Sequence, residues 1–300
     1  MAEFQPLFKT SEKPRWQLPN RHNFIRSQFN IETFALAGAV LQCALVLVLP
    51  LRLAILPAFL LIFLKIADVY AQKFNLKPNP HMANNIVTKF SAQFPDTTGS
   101  FGNEPARSSM CVFLIGARNN SPLGLFNPRF KELGDFFQRM NRELEETATE
   151  SGFLGASNWT GTERASNAAG LNVMYFRSAA DVHAYAHGPL HRQAWDWWYK
   201  NLGDLKELSI FHELYEVPSG NYESVYEQMP PMLAAATQHR VVKEENGAKK
   251  EQWQIPVVDA RKGQLKSSKG RMARSGGKDN DKYGIKDIYD DVKIEVREAV

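Results

Sequence analysis

The feature that most constrains this chain is the apolar stretch from Phe34 to Leu64. Phe34 to Leu49 reads FALAGAVLQCALVLVL, with Gln42 as its one strongly polar position. Pro50, Leu51 and Arg52 interrupt it, and LAILPAFLLIFL continues from Leu53 to Leu64. A helix needs about 20 apolar residues to cross a bilayer, so each half is short unless its flanks help. An arginine at mid-membrane costs about 2.5–3.5 kcal/mol on insertion scales. Two arrangements answer this: a hairpin turning at Pro50–Arg52, or one long kinked helix with an intramembrane arginine. The hairpin is preferred because it sets Arg52 at the far interface. It also leaves Lys9, Lys13, Arg15, Arg21 and Arg26 on the same side as Lys65, Lys73 and Lys77, and positive flanks mark the cytosolic side. The stretch starts too far into the chain, and is too long, for a cleaved signal peptide.

The rest of the chain is compositionally ordinary, with 44% hydrophobic and 23% charged residues. The net charge of +4 comes from the C-terminal end, where Arg240 onward carries 15 Lys/Arg against 11 Asp/Glu. No basic patch with interleaved aromatics occurs elsewhere, so a nucleic-acid partner is not expected. The two cysteines, Cys43 and Cys111, have no metal-type spacing and suggest a reducing compartment.

The expected organisation has five parts. Residues 1–30 are an N-terminal cytosolic segment, 31–70 the membrane hairpin, and 71–109 a linker containing Pro78, Pro80, Pro95 and Pro105. Ordered patterning begins at Cys111. CVFLIGA is a compact apolar strand, and Phe130, Leu133, Phe137, Met140 and Leu144 then recur at spacings of three and four, one face of a helix opened by Pro128. FLGASNWT (Phe153–Thr160) and LNVMYFR (Leu171–Arg177) are strands. Ser178 to Asp181 is a helix-start signature, and Gly188-Pro189 interrupts that helix before the aromatic run through Trp195, Trp197 and Trp198. LSIFHELYEV (Leu208–Val217) is the last strand of the pattern. The β-α-β-β-α-β order over 110–232 predicts an α+β, ferredoxin-like domain. One face of such a sheet is covered by helices, and the other is expected to pair with a second copy. Residues 233–300 lose apolar periodicity and carry no acid from Arg261 to Lys278, which predicts a basic, disordered tail able to touch an anionic membrane surface.

Two long segments carry a resemblance: YFRSAADVHAYAHGPLHRQAWDWW (Tyr175–Trp198) and FHELYEVPSGNYESVYEQMPPM (Phe211–Met232). Over roughly Met110–Met232 the chain resembles the antibiotic-biosynthesis-monooxygenase-like family of dimeric α+β barrels. Its apolar N-terminal hairpin is similar to that of the membrane-bound monooxygenases of the fungal fumagillin type. The resemblance implies a homodimer and an oxygenase of fungal secondary metabolism, held in a membrane such as the endoplasmic reticulum with its catalytic domain cytosolic. It also implies a lipophilic terpenoid or polyketide substrate. Many members of the wider family need no cofactor, because the substrate supplies the electrons, whereas others bind haem through a histidine. A dehydratase, cyclase or isomerase on the same fold, or a non-catalytic binding protein, are the alternatives.

Candidate residues follow. His183, His187 and His191 are four apart, yet the Gly188-Pro189 break separates the last from a shared face and no carboxylate supports them, so no metal site is expected. His187 and His191 flank the break and, with His212 on the last strand, are the candidates for proton transfer. Asn158, Trp159 and Tyr175 on central strands, Trp195 on the aromatic helix and Tyr215 on the last strand are the candidates for holding a substrate. Asn158-Trp159-Thr160 also matches a glycosylation acceptor, which means nothing for a cytosolic strand.

Overall fold

The structure is a computed structural model, and it describes residues 3–18, 20–245, 247–278, 289 and 292–297. It divides into two units: Asn20–Asn85 with Arg297–Val300, and Met1–Pro19 with Ile86–Val296.

The first unit holds three helices, α1 (Arg21–Ser27), α2 (Ile31–Val48) and α3 (Leu51–Lys73). Pro50 causes the break between α2 and α3. A residue before proline is driven out of the helical region, and Leu49 is extended at φ −114°, ψ 153°. The chain turns back there, so that the Gln42 side-chain amide donates to the Ala54 carbonyl at 3.1 Å. The one strongly polar residue of the Phe34–Leu49 stretch is thereby satisfied, and Ala54 is fully buried. Both helices exceed the runs read from the sequence, because each recruits flanking residues. At 18 and 23 residues they are long and apolar enough to cross a membrane. They rise about 27 and 34 Å, against about 30 Å of hydrocarbon. No residue of α2 and only Ala54 of α3 is buried.

The second unit opens with β1 (Ile86–Ala92) and continues through β2 (Met110–Asn119), α4 (Pro128–Glu146), α5 (Ala148–Ser151), β3 (Phe153–Thr160), β4 (Gly170–Phe176), α6 (Ala179–Ala186), α7 (Pro189–Lys200) and β5 (Leu208–Val217). Strands β2 to β5 form an antiparallel sheet in the order β3-β4-β2-β5. With α4–α5 and α6–α7 as its crossovers, this is the ferredoxin-like arrangement. Local chemistry sets the helix ends. Asn127 caps α4 by accepting from the Arg129 and Phe130 amides, with Pro128 at the first position. Gly152 closes α5 at φ +69°, where a Cβ would lie 2.4 Å from the Asp181 carboxyl carbon. Ser178 and Asp181 cap α6 reciprocally, hydroxyl to carboxylate at 2.7 Å and amide to hydroxyl at 3.2 Å. The helices cover one sheet face over a core of Cys111, Leu144, Ala148, Phe153, Met174, Phe176 and Val182. Burial pushes the Cys111 thiol up to about 11.

Three expectations are corrected. The 71–109 segment is more than a linker, because β1 lies between β6 (Tyr226–Met229) and β9 (Val257–Asp259) in a second sheet. The 1–30 segment, expected only to be cytosolic, is partly built into the second unit: Pro6 bridges to Val258 and Ser11 to Trp253, and the Trp16 ring meets Phe153 at 5.6 Å. The supposed tail is folded from Leu233 to Arg271. It contains the hairpin β7 (His239–Glu245) and β8 (Ala248–Gln254), then β9 and the short α8 (Ser268–Arg271). Its few apolar side chains are placed to count, with Val241, Val257, Val258 and Ala260 fully buried. Arg271 is buried too, held by Glu223 at 2.5 Å and by the Leu265 and Lys266 carbonyls, and Arg261 pairs with Asp259 at 2.7 Å. Two of the basic residues expected to meet a membrane are thus used inside the fold. Most of the tail beyond Lys278 lies outside the described residues.

These added elements also reach the second face of the main sheet. Phe94, Tyr222, Leu233 and Ala234 pack with Met110, Leu154, Tyr175 and Val217, so part of the surface expected to await a second copy is covered by the chain itself. Trp159, Phe211 and Tyr215 remain exposed at 42%, 44% and 50%.

His239 sits beneath this cover. Its ring packs at a tilt against Phe94, centroids 4.5 Å apart, and its Nε2 lies 2.9 Å from the Thr237 hydroxyl. That hydroxyl donates to the Ala234 carbonyl, so the His239 Nε2–H is the donor to Thr237. Burial drives its pKa down to about 3. The unfolded ring protonates near 6.5, so between about 6.5 and 3 the unfolded state binds the extra proton and stability falls as pH falls. The expected slope from this group is about 1.4 kcal/mol per pH unit. His239→Gln, which keeps a donor to Thr237, should flatten that limb in denaturation curves measured from pH 7 to 4. An unchanged limb would assign the acid sensitivity to other groups.

Candidate active site

The face of the sheet beneath the helices encloses a cavity of about 40 Å³, room for about three water molecules. Strand alternation supplies its floor, Phe113 and Ile115 from β2 and Met174 and Phe176 from β4. The 3-4 spacing of α4 supplies Phe137, Met140, Asn141 and Leu144, while α6 gives Val182, Tyr185 and Ala186. His191 completes the wall from the first turns of α7. The break at Gly188-Pro189 makes this possible, because it ends α6 at Ala186 and re-aims the chain.

His191 is half-buried. Desolvation lowers its pKa below the ordinary histidine value, and the neighbouring His187 and His212 lower it further, so the ring is neutral at pH 7. The Tyr185 hydroxyl donates to the Met140 carbonyl at 3.1 Å, and burial raises its pKa, keeping it a donor. An aromatic file leads outward from His191, with Tyr185 at 6.4 Å, Trp195 at 6.3 Å and Tyr199 a further 5.3 Å on. Trp195 and Tyr199 are exposed, whereas Trp197 turns to α4, its indole donating to Glu132 at 2.9 Å beside Phe136.

The eight candidate residues divide between the two sheet faces. His191 lines the cavity. His212 shares its face, in register with Ile115 and 5.6 Å from the Phe113 ring, but is exposed. His187 forms the C-cap of α6, and its side chain is also exposed. Asn158 pairs with Asn172, which places it on the helix side but beyond the cover of the helices. Trp195 stands outside the cavity in the aromatic file. Trp159 and Tyr175 lie on the opposite face, where with Leu171, Val173, Phe211 and Leu233 they line an open groove of about 550 Å³. Gly116 admits the Phe211 ring there, since a Cβ would lie 2.4 Å from it. Tyr215 is on the same face, donating its hydroxyl to Glu213. Among the described residues, no three His, Cys, Asp or Glu side chains converge to hold a metal ion.

Tyr185, Asn141 and Asn172 were not singled out from the sequence. Their signal was available, since Asn141 interrupts the apolar stripe of Phe137, Met140 and Leu144, and Asn172 alternates with Met174 and Phe176. The electrostatic account of His191 is open to test by NMR titration. Its ring should titrate below 6.5, and His212→Gln should raise that midpoint without restoring it, because desolvation is the larger cause. A midpoint at or above 6.5 would mean that the ring is not desolvated.

The model of a family described as monooxygenase af470-like matches residues 110–234, the span of the main sheet, its helices and the start of the cover. The monooxygenase af470 of Aspergillus fumigatus is 33% identical over 272 residues, which is 90% of this chain and 98% of that protein. Solved structures resemble shorter parts. An aldoxime dehydratase complexed with butyraldoxime is 13% identical, with a TM-score of 0.36 over 42% of this chain and 36% of that one. A putative antibiotic biosynthesis monooxygenase from Nitrosomonas europaea is 9% identical, with a TM-score of 0.26 over 36% of this chain and 88% of that one. Similarity across nearly its whole length, at 33% identity, places this chain in the monooxygenase af470-like family.

Proposed function

We propose that this protein is a membrane-anchored monooxygenase that oxidises a lipophilic natural-product intermediate, a terpenoid or polyketide of fungal secondary metabolism, at the helix-side cavity. The observation that carries this reading is His191, a neutral, half-buried imidazole at the edge of a largely apolar cavity. A neutral imidazole in that setting is a general base suited to removing a proton from an enol or phenol. The resulting anion can reduce dioxygen without a cofactor. One oxygen atom then stays on the substrate, and the other leaves as water with two hydrogens that the substrate gives up. Tyr185 stays protonated and borders the same space. A cavity of about 40 Å³ admits only the reacting end of such a molecule, and the apolar remainder lies outward along Trp195 and Tyr199. His187 and His212 bias His191 towards its neutral form.

The anchor fits such a substrate, because a bilayer concentrates lipophilic molecules. Helices α2 and α3 form the membrane hairpin, with Arg52 at the far interface and both basic flanks on the cytosolic side of the endoplasmic reticulum. A second copy covers the exposed Trp159, Phe211 and Tyr215 in a homodimer.

The test uses membranes bearing the full chain, supplied with a lipid extract from a strain lacking it, which holds the accumulated substrate. Oxygen uptake should depend on the extract, and His191→Gln should lower it by about 10²- to 10⁴-fold, with the protein still membrane-bound. Turnover without oxygen uptake would sink the oxygenase reading. A Soret band in the purified protein would sink its cofactor-free form.

A further inference from the structure

Helix α7 carries an exposed apolar stripe that packing does not explain. His191, Trp195, Tyr199 and Leu202 follow at spacings of four, four and three, which is one helical face. Ring contacts from His191 to Trp195 and from Trp195 to Tyr199 hold that line. In the turn that follows, the Leu202 amide donates back to the Tyr199 carbonyl at 3.4 Å. Trp195, Tyr199 and Leu202 are each more than half exposed. Packing against α4 falls instead to Trp197. Leu123 and Phe126, just before α4, are also more than half exposed and extend the patch. Their segment is tied to the end of α7 by the Arg129–Asp204 ion pair at 2.9 Å and by the Asn120 amide, which donates to the Glu207 carbonyl at 2.7 Å. Large apolar side chains exposed together mark an interaction surface.

The occupant follows from the chemistry of the stripe and from where the chain leaves this unit. Tryptophan and tyrosine, apolar in body and polar at one tip, are the side chains of a membrane–water interface. The charges on α7 alternate through Arg192, Asp196 and Lys200, so no field of one sign selects a charged partner. Trp16 packs on the helix-side core against Phe153. Asn20, where the unit with the membrane-length helices begins, is four residues further on, a reach of at most about 14 Å. That tether starts on the sheet face that α7 helps to cover. A surface tied to a bilayer meets it at high effective concentration, so modest contacts suffice.

We infer that the Trp195–Tyr199–Leu202 stripe docks on the bilayer that holds α2 and α3, seated at headgroup level with Leu123 and Phe126 beside it. His191 ends the same stripe on the cavity wall. Docking therefore turns that edge of the cavity towards the membrane, and a lipophilic molecule passes from lipid to cavity without crossing water. This rests on the membrane-anchored reading, and it adds the surface on which the domain lies.

The chain has six tryptophans and none lies in α2 or α3, so lipid quenching of indole fluorescence reports the other unit alone. The full chain is to be reconstituted in phosphatidylcholine vesicles, with and without bromine on the upper acyl carbons. Brominated lipid should quench the parent. Trp195→Phe should lose most of that quenching, and Trp159→Phe should keep it. Tyr199→Ser combined with Leu202→Ser should weaken the quenching with Trp195 still in place. High salt should leave it unchanged, because the contact is apolar. Quenching that survives Trp195→Phe, or that vanishes at high salt, overturns the inference. An unquenched parent overturns it too, and an emission that then shifts as the protein is diluted in lipid makes a second copy the occupant. Alkaline carbonate separates the two readings. A chain that stays in the vesicles with Trp195 unquenched keeps the anchor and loses the docking surface, whereas a chain that washes off loses both.

Discussion

A four-stranded antiparallel sheet with apolar side chains on both faces cannot stand in water with only one face covered, and much of this structure answers that constraint. Helices α4, α6 and α7 cover one face through the Leu144, Phe176 and Val182 core. The other face receives Phe94 from the segment after β1, Tyr222 from the segment before β6, and Leu233 and Ala234 from the turn before β7. The second sheet and the β7–β8 hairpin are the scaffold that holds these side chains in place. Burial on this scale is worth about 25 cal/mol per Å² of apolar surface, which outweighs the modest cost of closing long loops. The cover stops short of Trp159 and Phe211, and the uncovered remainder is the groove of about 550 Å³. The surface available to a second copy is therefore smaller than in a bare ferredoxin-like domain.

The cavity follows from the same packing. Gly188-Pro189 stops α6 at Ala186, and α7 restarts with the His191 ring half-buried on the cavity wall. Its low proton affinity is thus a consequence of where the helix breaks. The same segment sends Trp197 to α4 and leaves Trp195 and Tyr199 outward, so one short helix serves packing on one side and an approach path on the other.

Much of this was legible in the sequence, for definite reasons. The apolar helices, the βαββαβ order and the α6–α7 break rest on strong local signals: hydrophobic runs, period-2 and period-3.6 patterns, and a Gly-Pro pair. Some of what was missed had no such signal. β9 is three residues long and β6 four, too short for a pattern to show. Arg271 reads as solvated in any sequence, and only the fold reveals Glu223 opposite it. At the site, His191 was legible because the helix break beside it was. Tyr175 lies on a central strand as expected, whereas Asn158 and Trp159, also expected on central strands, lie on the edge strand β3. Strand position alone did not tell which face they take. The register of β3 against β4, shifted by the irregularity between Phe153 and Gly155, decides that.

That register also explains why two adjacent residues, Asn158 and Trp159, belong to different sites. Asn158 falls opposite Asn172 on the helix side, and Trp159 opposite Leu171 on the groove side. Without the irregularity near Gly155, the far end of β3 would exchange faces. Trp159 would then turn towards the helices and Asn158 into the apolar groove, where its amide would need a partner. The bulge therefore keeps an indole on the apolar groove and an amide on the side where the polar groups gather. In this sheet the division between a polar-tipped cavity and an aromatic groove depends on one irregular residue pair in the backbone, more than on the composition of either face.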